Sequence, residues 1–171
     1  MIELRLTTAA DTEFLGEMLV VAAEWRAIRP TRSVGDVLAD TYLARYVVDW
    51  PRQGEIGVVA LDHGRAIGAA WWRLFDDHHH GYGYLDASTP EISLAVVADA
   101  RRHGTGRMLL DRLIDEARSS SVRRLSLSVE TDNPAIRLYE QVGFHVVTAS
   151  AGAVTMVCEI LEREHGVTPL H

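Results

Sequence analysis

The chain has 171 residues, 47% of them hydrophobic and 24% charged, which is enough for one domain with a substantial core and too few for a second full domain. Its formal net charge is −7 and no run of basic residues exceeds two, which excludes the electrostatic footprint of a nucleic-acid or anionic-membrane binder. The single cysteine, Cys158, excludes an internal disulfide, and the opening MIELRLTTAAD lacks the basic and apolar regions of a secretion signal, so a soluble cytoplasmic protein is expected.

Residues 2–6 (IELRL) alternate apolar and polar as a half-buried strand does. Thr8 followed by Asp11 reads as a capping box opening a helix that buries Phe14, Leu15, Met18, Leu19 and Ala22. The run from Met18 to Ala23 is far too short to cross a bilayer. Pro30 breaks this helix. A second helical pattern then runs through Val34, Val37, Leu38, Tyr42 and Tyr46 and ends near Trp50-Pro51. GVVAL and AIGAAWWRLF flank a turn with Gly64, which predicts a hairpin. Trp71 and Trp72 are adjacent on its second strand and must face opposite sides, one expected in the core and the other at a site or interface.

The segment DDHHHGYGY (76–84) follows, and raises the question of a metal site. Adjacent side chains on an extended segment point to opposite sides, so at most His78 and His80 converge, whereas a structural zinc takes four ligands; no functional metal is expected. EISLAVV (91–97) predicts a strongly apolar strand, and RRHGTGR (101–107) leads from it into a helix whose Leu109, Leu110, Leu113, Ile114 and Ala117 share a face. LSLSV (125–129) alternates cleanly. Asn133-Pro134 supplies an N-cap and an N1 proline for a short helix ending before Gly143, and FHVVTA and AVTMVCEI close the chain as strands. The order is β-α-α-β-β-β-α-β-α-β-β, a single α/β unit over residues 1–165 with a loose tail at 166–171.

Chemistry concentrates at Arg101 to Arg107. Gly104 and Gly106 allow close backbone approach, and the unpaired N–H groups of the next helix's first turn favour phosphate. The spacing is neither that of a Walker loop nor that of the dinucleotide fingerprint.

The stretch from Leu94 to Gly106 resembles the acetyl-CoA motif Q/R-x-x-G-x-G/A of the GNAT superfamily of N-acyltransferases, with Arg101, Gly104 and Gly106 at its defined positions. N133-P-A-I-R-L-Y139-E-Q-V-G-F144 is similar to the family's later signature, N-x-x-A-x-x-L-Y-x-x-x-G-F, in the right order. Ala98 and Arg102 depart from the proline and glycine of many members but leave the Gly-x-Gly intact. The resemblance implies a mixed, strongly twisted sheet of about six to seven strands flanked by helices. It implies acetyl-CoA as co-substrate: Leu94, Ala95, Val96 and Val97 would form the edge that takes the pantetheine arm. Arg101, Arg102, His103, Gly104, Thr105, Gly106 and Arg107 would form the pyrophosphate loop, and Asn133 would cap the following helix beside the cofactor. Tyr139 matches the general acid that protonates the departing thiolate.

Three sources of a base are open. Glu91 begins the strand that would carry the thioester, where several members place a catalytic glutamate; Glu130 follows the next strand, near where other members carry a base, although their position corresponds more nearly to Ser128. His78, His79 and His80 are the third source, since imidazoles titrate near neutrality. Ordered water suffices if the acceptor amine is already largely neutral, as an α-amine is compared with a lysine. In this family the acceptor enters opposite the cofactor, which implicates Trp25, Arg26, Arg29 and Arg32 on one side and the stretch Asp76 to Tyr84, with His80, Tyr82 and Tyr84, on the other. The aromatic, acidic wall suits an amine and the arginines suit a carboxylate. The expected activity is acetyl transfer to a primary amine of a small molecule; a protein N-terminus or lysine, and a non-catalytic acyl-CoA sensor, are the alternatives. Exposed strands leave room for a homodimer.

Overall fold

A computed structural model describes residues 1–161. The expected domain end at 165 and the tail at 166–171 lie outside these residues. The chain order is β1 (Ile2–Leu6), a 3-10 turn (Ala9–Asp11), α1 (Thr12–Ala23), α2 (Val34–Ala39), α3 (Thr41–Ala44), β2 (Gly57–Asp62), β3 (Arg65–Arg73) and β4 (Glu91–Val96). A second 3-10 turn (Ala98–Ala100), α4 (Thr105–Ser119), β5 (Arg124–Glu130), α5 (Ala135–Gln141), β6 (His145–Ser150) and β7 (Ala153–Glu159) follow. The sheet has seven strands in the order β1-β2-β3-β4-β5-β7-β6. Only β4 and β5 run parallel; the other neighbours are antiparallel, so the sheet is mixed as expected.

Thr8 does form the capping box with Asp11, although the first turn it caps is 3-10 before α1 begins. The second helical pattern is not one helix. Asp40 adopts an extended ψ of 104° and its Oδ1 accepts the N–H groups of Tyr42 and Leu43, so a short polar side chain ends one helix and caps the next. Tyr46 and Val47 follow the break and remain buried, so the apolar pattern reports burial correctly while the backbone changes direction beneath it.

Helices cover both faces of the sheet and make two cores. Leu109, Leu110, Leu113, Ile114 and Ala117 of α4 pack with Trp72, Leu127, Met156 and Phe144 on one face. Leu15, Met18 and Leu19 of α1 pack with Val37, Trp50, Val59 and Trp71 on the other. Trp71 and Trp72 therefore do point to opposite sides, but both are fully buried, because neither face at β3 meets solvent. The expectation that one of them lines a site or interface is corrected. At the sheet end nearest β4, a buried Arg73 reaches from β3 to Glu55 through two bonds of 3.0 and 2.9 Å and to the carbonyls of Arg45 and Val48. This ties the segment after α3 to the strand that flanks the site. No helix among the described residues is long and apolar enough to cross a membrane.

Candidate active site

β4 and β5 meet in register only at Glu91 and Ser126, where Ser126 N–H donates to the Pro90 carbonyl at 2.9 Å. Beyond that point the strands diverge. The gap opens into a cleft of about 1250 Å³ with Ile92 to Val96 on one wall and Leu127 to Glu130 on the other. Arg101, Arg102, Gly104, Gly106 and Arg107 lie at one end, Asn133, Leu138 and Tyr139 flank it, and Leu43, Tyr46, Tyr82 and Glu91 also line it.

The loop end is shaped by backbone geometry. Gly104 sits at φ 83° in the left-handed region directly before α4, with open space where a Cβ would project. Gly106 has the end of the Leu138 side chain against it, 3.1 Å from the position of a Cβ, so any larger residue would have to push Leu138 aside for the start of α4 to approach α5 this closely. Arg101 is turned back, its Nε donating to the Val96 carbonyl at 3.0 Å, and Arg107 is paired with Asp111 at 2.9 Å one turn along α4. Arg102 stays exposed at φ 65°. Asn133 Oδ1 accepts the Ala135 N–H at 2.9 Å and so caps the turn into α5 as its sequence predicts.

The other end centres on Glu91, which is 2% exposed. Its Oε1 accepts two bonds, from the Tyr46 hydroxyl at 2.7 Å and from the Gly83 N–H at 2.8 Å. Its Oε2 has no partner among the described residues. Burial pushes the carboxyl up from 4.5 to about 7, against the opposing pull of the Tyr46 hydroxyl, the Gly83 N–H and His80. A carboxyl poised there exists in both protonation states near neutral pH and can take or give a proton. Tyr139 packs edge-on against Phe144, and burial raises its hydroxyl well above the ordinary tyrosine range, so it is protonated throughout the neutral range.

A polar bridge joins the segment after α1 to the end of β5. Trp25 Nε1 donates to Glu130 Oε2 at 2.9 Å, Arg26 reaches the same oxygen at 2.6 Å, and Arg26 holds both oxygens of Asp132 at 2.8 and 2.9 Å. Glu130 is thereby engaged by two donors, which suits it to holding this bridge.

Of the residues expected at the site, Glu91, Leu94, Ala95, Val96, Arg101, Arg102, Gly104, Gly106, Arg107, Asn133 and Tyr139 line the cleft, as do Trp25 and Tyr82. Others do not. Val97 packs against both cores, His103 is exposed, and Thr105 is buried beneath the loop. Arg29 is exposed outside the cleft. The His80 ring stacks on Tyr84 with centroids 4.5 Å apart, and the Tyr84 hydroxyl donates to Asp77 at 2.6 Å, so both are occupied within their own loop rather than turned to the cleft. Arg29, His80 and Tyr84 are thus not among the residues that line the cleft. Asp76 Oδ1 accepts the N–H groups of His78 and His79, so the acidic start of the loop shapes a turn; among the described residues no group of three His, Cys, Asp or Glu is arranged to hold a metal. Sequence reasoning did not single out Tyr46 as a site residue, because it reads as one more apolar position in a helical pattern and its partner lies 45 residues away.

Comparison with known proteins agrees with this geometry. The family model described as Acetyltransferase (GNAT) family matches residues 21–144. The chain is 47% identical over 65 residues to the [ribosomal protein bS18]-alanine N-acetyltransferase of Salmonella typhimurium, covering 37% of this chain and 43% of that protein. It is 40% identical over 79 residues to an L-amino acid N-acyltransferase of Escherichia coli, covering 46% of this chain and 41% of that one. The matched segments thus span less than half the length of these two curated relatives. The structure of yncA from Salmonella typhimurium with its cofactor acetyl-CoA superposes with a TM-score of 0.67 at 26% identity, covering 97% of this chain and 96% of that one. With the family model spanning the cleft from α1 to Phe144, the chain belongs to the GNAT family of acetyltransferases.

Proposed function

We propose that the protein transfers the acetyl group of acetyl-CoA directly to the primary α-amine of a small molecule that carries a carboxylate, with Glu91 as base and Tyr139 as acid. The observation that carries this reading is one continuous cleft with a glycine-bent helix start among its walls and a buried, half-satisfied carboxylate among its linings. The residues present fit acetyl-CoA. The first-turn N–H groups of the fifteen-residue α4, with Arg102 beside them, suit a pyrophosphate, and the edge of β4 that β5 leaves unpaired beyond Glu91 suits amides of the pantetheine arm. Acetyl-CoA, when bound, supplies an activated thioester carbonyl and a sulfur that leaves as thiolate.

The chain's own residues then manage two protons. The Glu91 carboxylate takes the proton lost by the attacking amine, and the Tyr139 hydroxyl protonates the departing thiolate; both residues line the cleft, which supports these roles. Magnitudes favour an α-amine. Moving a proton from an ammonium of pKa near 8 to a carboxylate near 7 costs about 1 kcal/mol, whereas from a lysine near 10.4 it costs about 5 kcal/mol. Arg32 also lines the cleft. Its pairing with Asp40 is loose, at 3.8 Å, so the guanidinium can turn to an acceptor carboxylate. The relative named for L-amino acids uses an acceptor of this type.

The relative named for the ribosomal protein bS18 alanine supports a second reading, a protein N-terminus, which is also an α-amine. A thiol-release screen across L-amino acids, the same amino acids as amides, diamines and short peptides separates the two. Turnover with free amino acids that falls on amidation supports the first reading. Turnover confined to peptides overturns it in favour of the second.

A further inference from the structure

We infer that Tyr46 is a positioning residue for the base: its hydroxyl, together with the Gly83 N–H, clamps Glu91 Oε1 and fixes the carboxyl at the end of the cleft. This inference rests on the reading of Glu91 as base proposed above.

The direction of each bond is fixed by the donors available. The Tyr82 N–H donates to the Tyr46 hydroxyl oxygen at 2.8 Å, so that oxygen is already an acceptor and its own proton points to Glu91 Oε1 at 2.7 Å. The Gly83 N–H reaches the same Oε1 at 2.8 Å. One carboxylate oxygen thus receives two donors and the other receives none among the described residues. Tyr46 is itself held: its carbonyl accepts the Trp71 indole N–H at 2.9 Å, its ring meets Phe75 edge-on at 5.7 Å, and it is 6% exposed.

The neighbouring loop is built around this contact. A Cβ on Gly81 would collide with the Tyr46 hydroxyl and with Glu91 Oε2, and a Cβ on Gly83 would lie 2.5 Å from the Leu127 carbonyl carbon. The glycines of the GYGY segment let the loop lie flat over the carboxyl and deliver two N–H groups to the pair. The polar and charged groups around Glu91 come from four elements. They are Tyr46 after α3, His80 and the Gly83 N–H in the loop, Arg73 directly opposite on β3 but committed to Glu55, and Ser126 beside it on β5. Tyr46 is the side chain that hydrogen-bonds the carboxyl.

The test is an infrared pH titration of the full chain, in which the carboxyl band that disappears in Glu91→Gln is the Glu91 signal. Tyr46→Phe removes one charge-assisted bond to the ionised form and should move the Glu91 midpoint up by about one to two pH units. A residue that only fills space would leave the midpoint where it is. Should the phenylalanine variant fold poorly, 3-fluorotyrosine at position 46 keeps the ring and makes a stronger donor, and the midpoint should move down. An unmoved midpoint in the variant that folds overturns the clamp. Turnover of Glu91→Gln separates this from the reading beneath it: a variant that keeps its rate while the midpoint still responds to position 46 shows that Glu91 is clamped but is not the base, and the positioning role falls with it.

Discussion

Glu91→Gln removes a carboxyl group that burial holds near pKa 7, and the same burial sets how the variant's stability must depend on pH. Below pH 4.5 the group is neutral in both the folded and the unfolded chain and contributes no difference. Between 4.5 and about 7 the unfolded chain releases this proton while the folded chain retains it, so the folded state loses stability as pH rises. Above about 7 both forms are ionised and the loss is complete. A rise from 4.5 to about 7 corresponds to about 3 kcal/mol, at about 1.4 kcal/mol per pH unit.

Glutamine is neutral at every pH and escapes this loss. Its carbonyl can accept from Tyr46 and Gly83 as Oε1 does, while its NH2 group stands where Oε2 has no partner and costs about 1 kcal/mol regardless of pH. The variant should therefore be slightly less stable than the parent at pH 4.5 and about 2 kcal/mol more stable at pH 8.5. For a chain of this size the swing is about 6 to 12 °C in Tm between the two conditions, measured by thermal melts of both proteins across the range. Turnover should meanwhile fall by about 10²- to 10⁴-fold. A Tm difference that stays constant from pH 4.5 to 8.5 would refute the raised carboxyl, and with it the physical basis for Glu91 as a base.

Tyr139→Phe should lower turnover by about 10²-fold while acetyl-CoA affinity, read by isothermal calorimetry, stays nearly unchanged; an equal loss of affinity would make the hydroxyl a packing or binding group instead. Gly104→Val places a β-branched residue at φ 83° with its side chain in the open space before α4, costing about 1 to 3 kcal/mol of stability, and should abolish the rise in Tm that millimolar acetyl-CoA gives the parent. A retained shift would move the pyrophosphate site elsewhere. Arg73→Met removes the buried one of the two guanidinium groups on Glu55, whose side chain is 0% exposed, and leaves it to the half-exposed Arg52 and two backbone N–H groups; denaturant unfolding should show a loss of about 3 kcal/mol. A loss under about 1 kcal/mol would mean that Arg52 and the backbone donors satisfy Glu55 on their own.

Periodicity made most of the architecture legible in advance. The α4 face Leu109, Leu110, Leu113, Ile114 and Ala117 and the alternation of Leu125, Leu127 and Val129 in β5 come from local spacing, and their burial obeys it; Ser126 departs from it, buried where β5 meets β4. The cofactor loop was legible from its Gly-x-Gly spacing; at Gly104 the left-handed backbone explains the glycine locally, whereas at Gly106 the reason is the Leu138 side chain, which only the fold brings near. The break at Asp40 was not, since a short acid inside an apolar pattern caps a new helix only when the chain turns there. The two tryptophans of β3 misled for a related reason: alternation shows that they face opposite ways, but not that both faces are covered.

The acceptor end was the least legible part. Arg29, His80 and Tyr84 were placed at the site by their loops, yet side-chain direction in a loop depends on partners such as Asp77 for Tyr84, which spacing does not encode. Tyr46 shows the converse. Its role depends on a hydroxyl meeting a carboxylate across 45 residues, and nothing local distinguishes it from a core aromatic. The histidine run that raises the question of a metal is the outer part of a loop whose glycines cover Glu91.

The most direct test of the account is the mass of the product formed from acetyl-CoA and a free L-amino acid panel, followed with thiol release in the same samples. The sequence contains no lysine, so ε-amines of the protein itself cannot contribute to the signal. The account predicts an N-acetyl amino acid formed one for one with free thiol, and its loss in Glu91→Gln. Thiol release without an N-acetyl product, or undiminished product from Glu91→Gln, would contradict it.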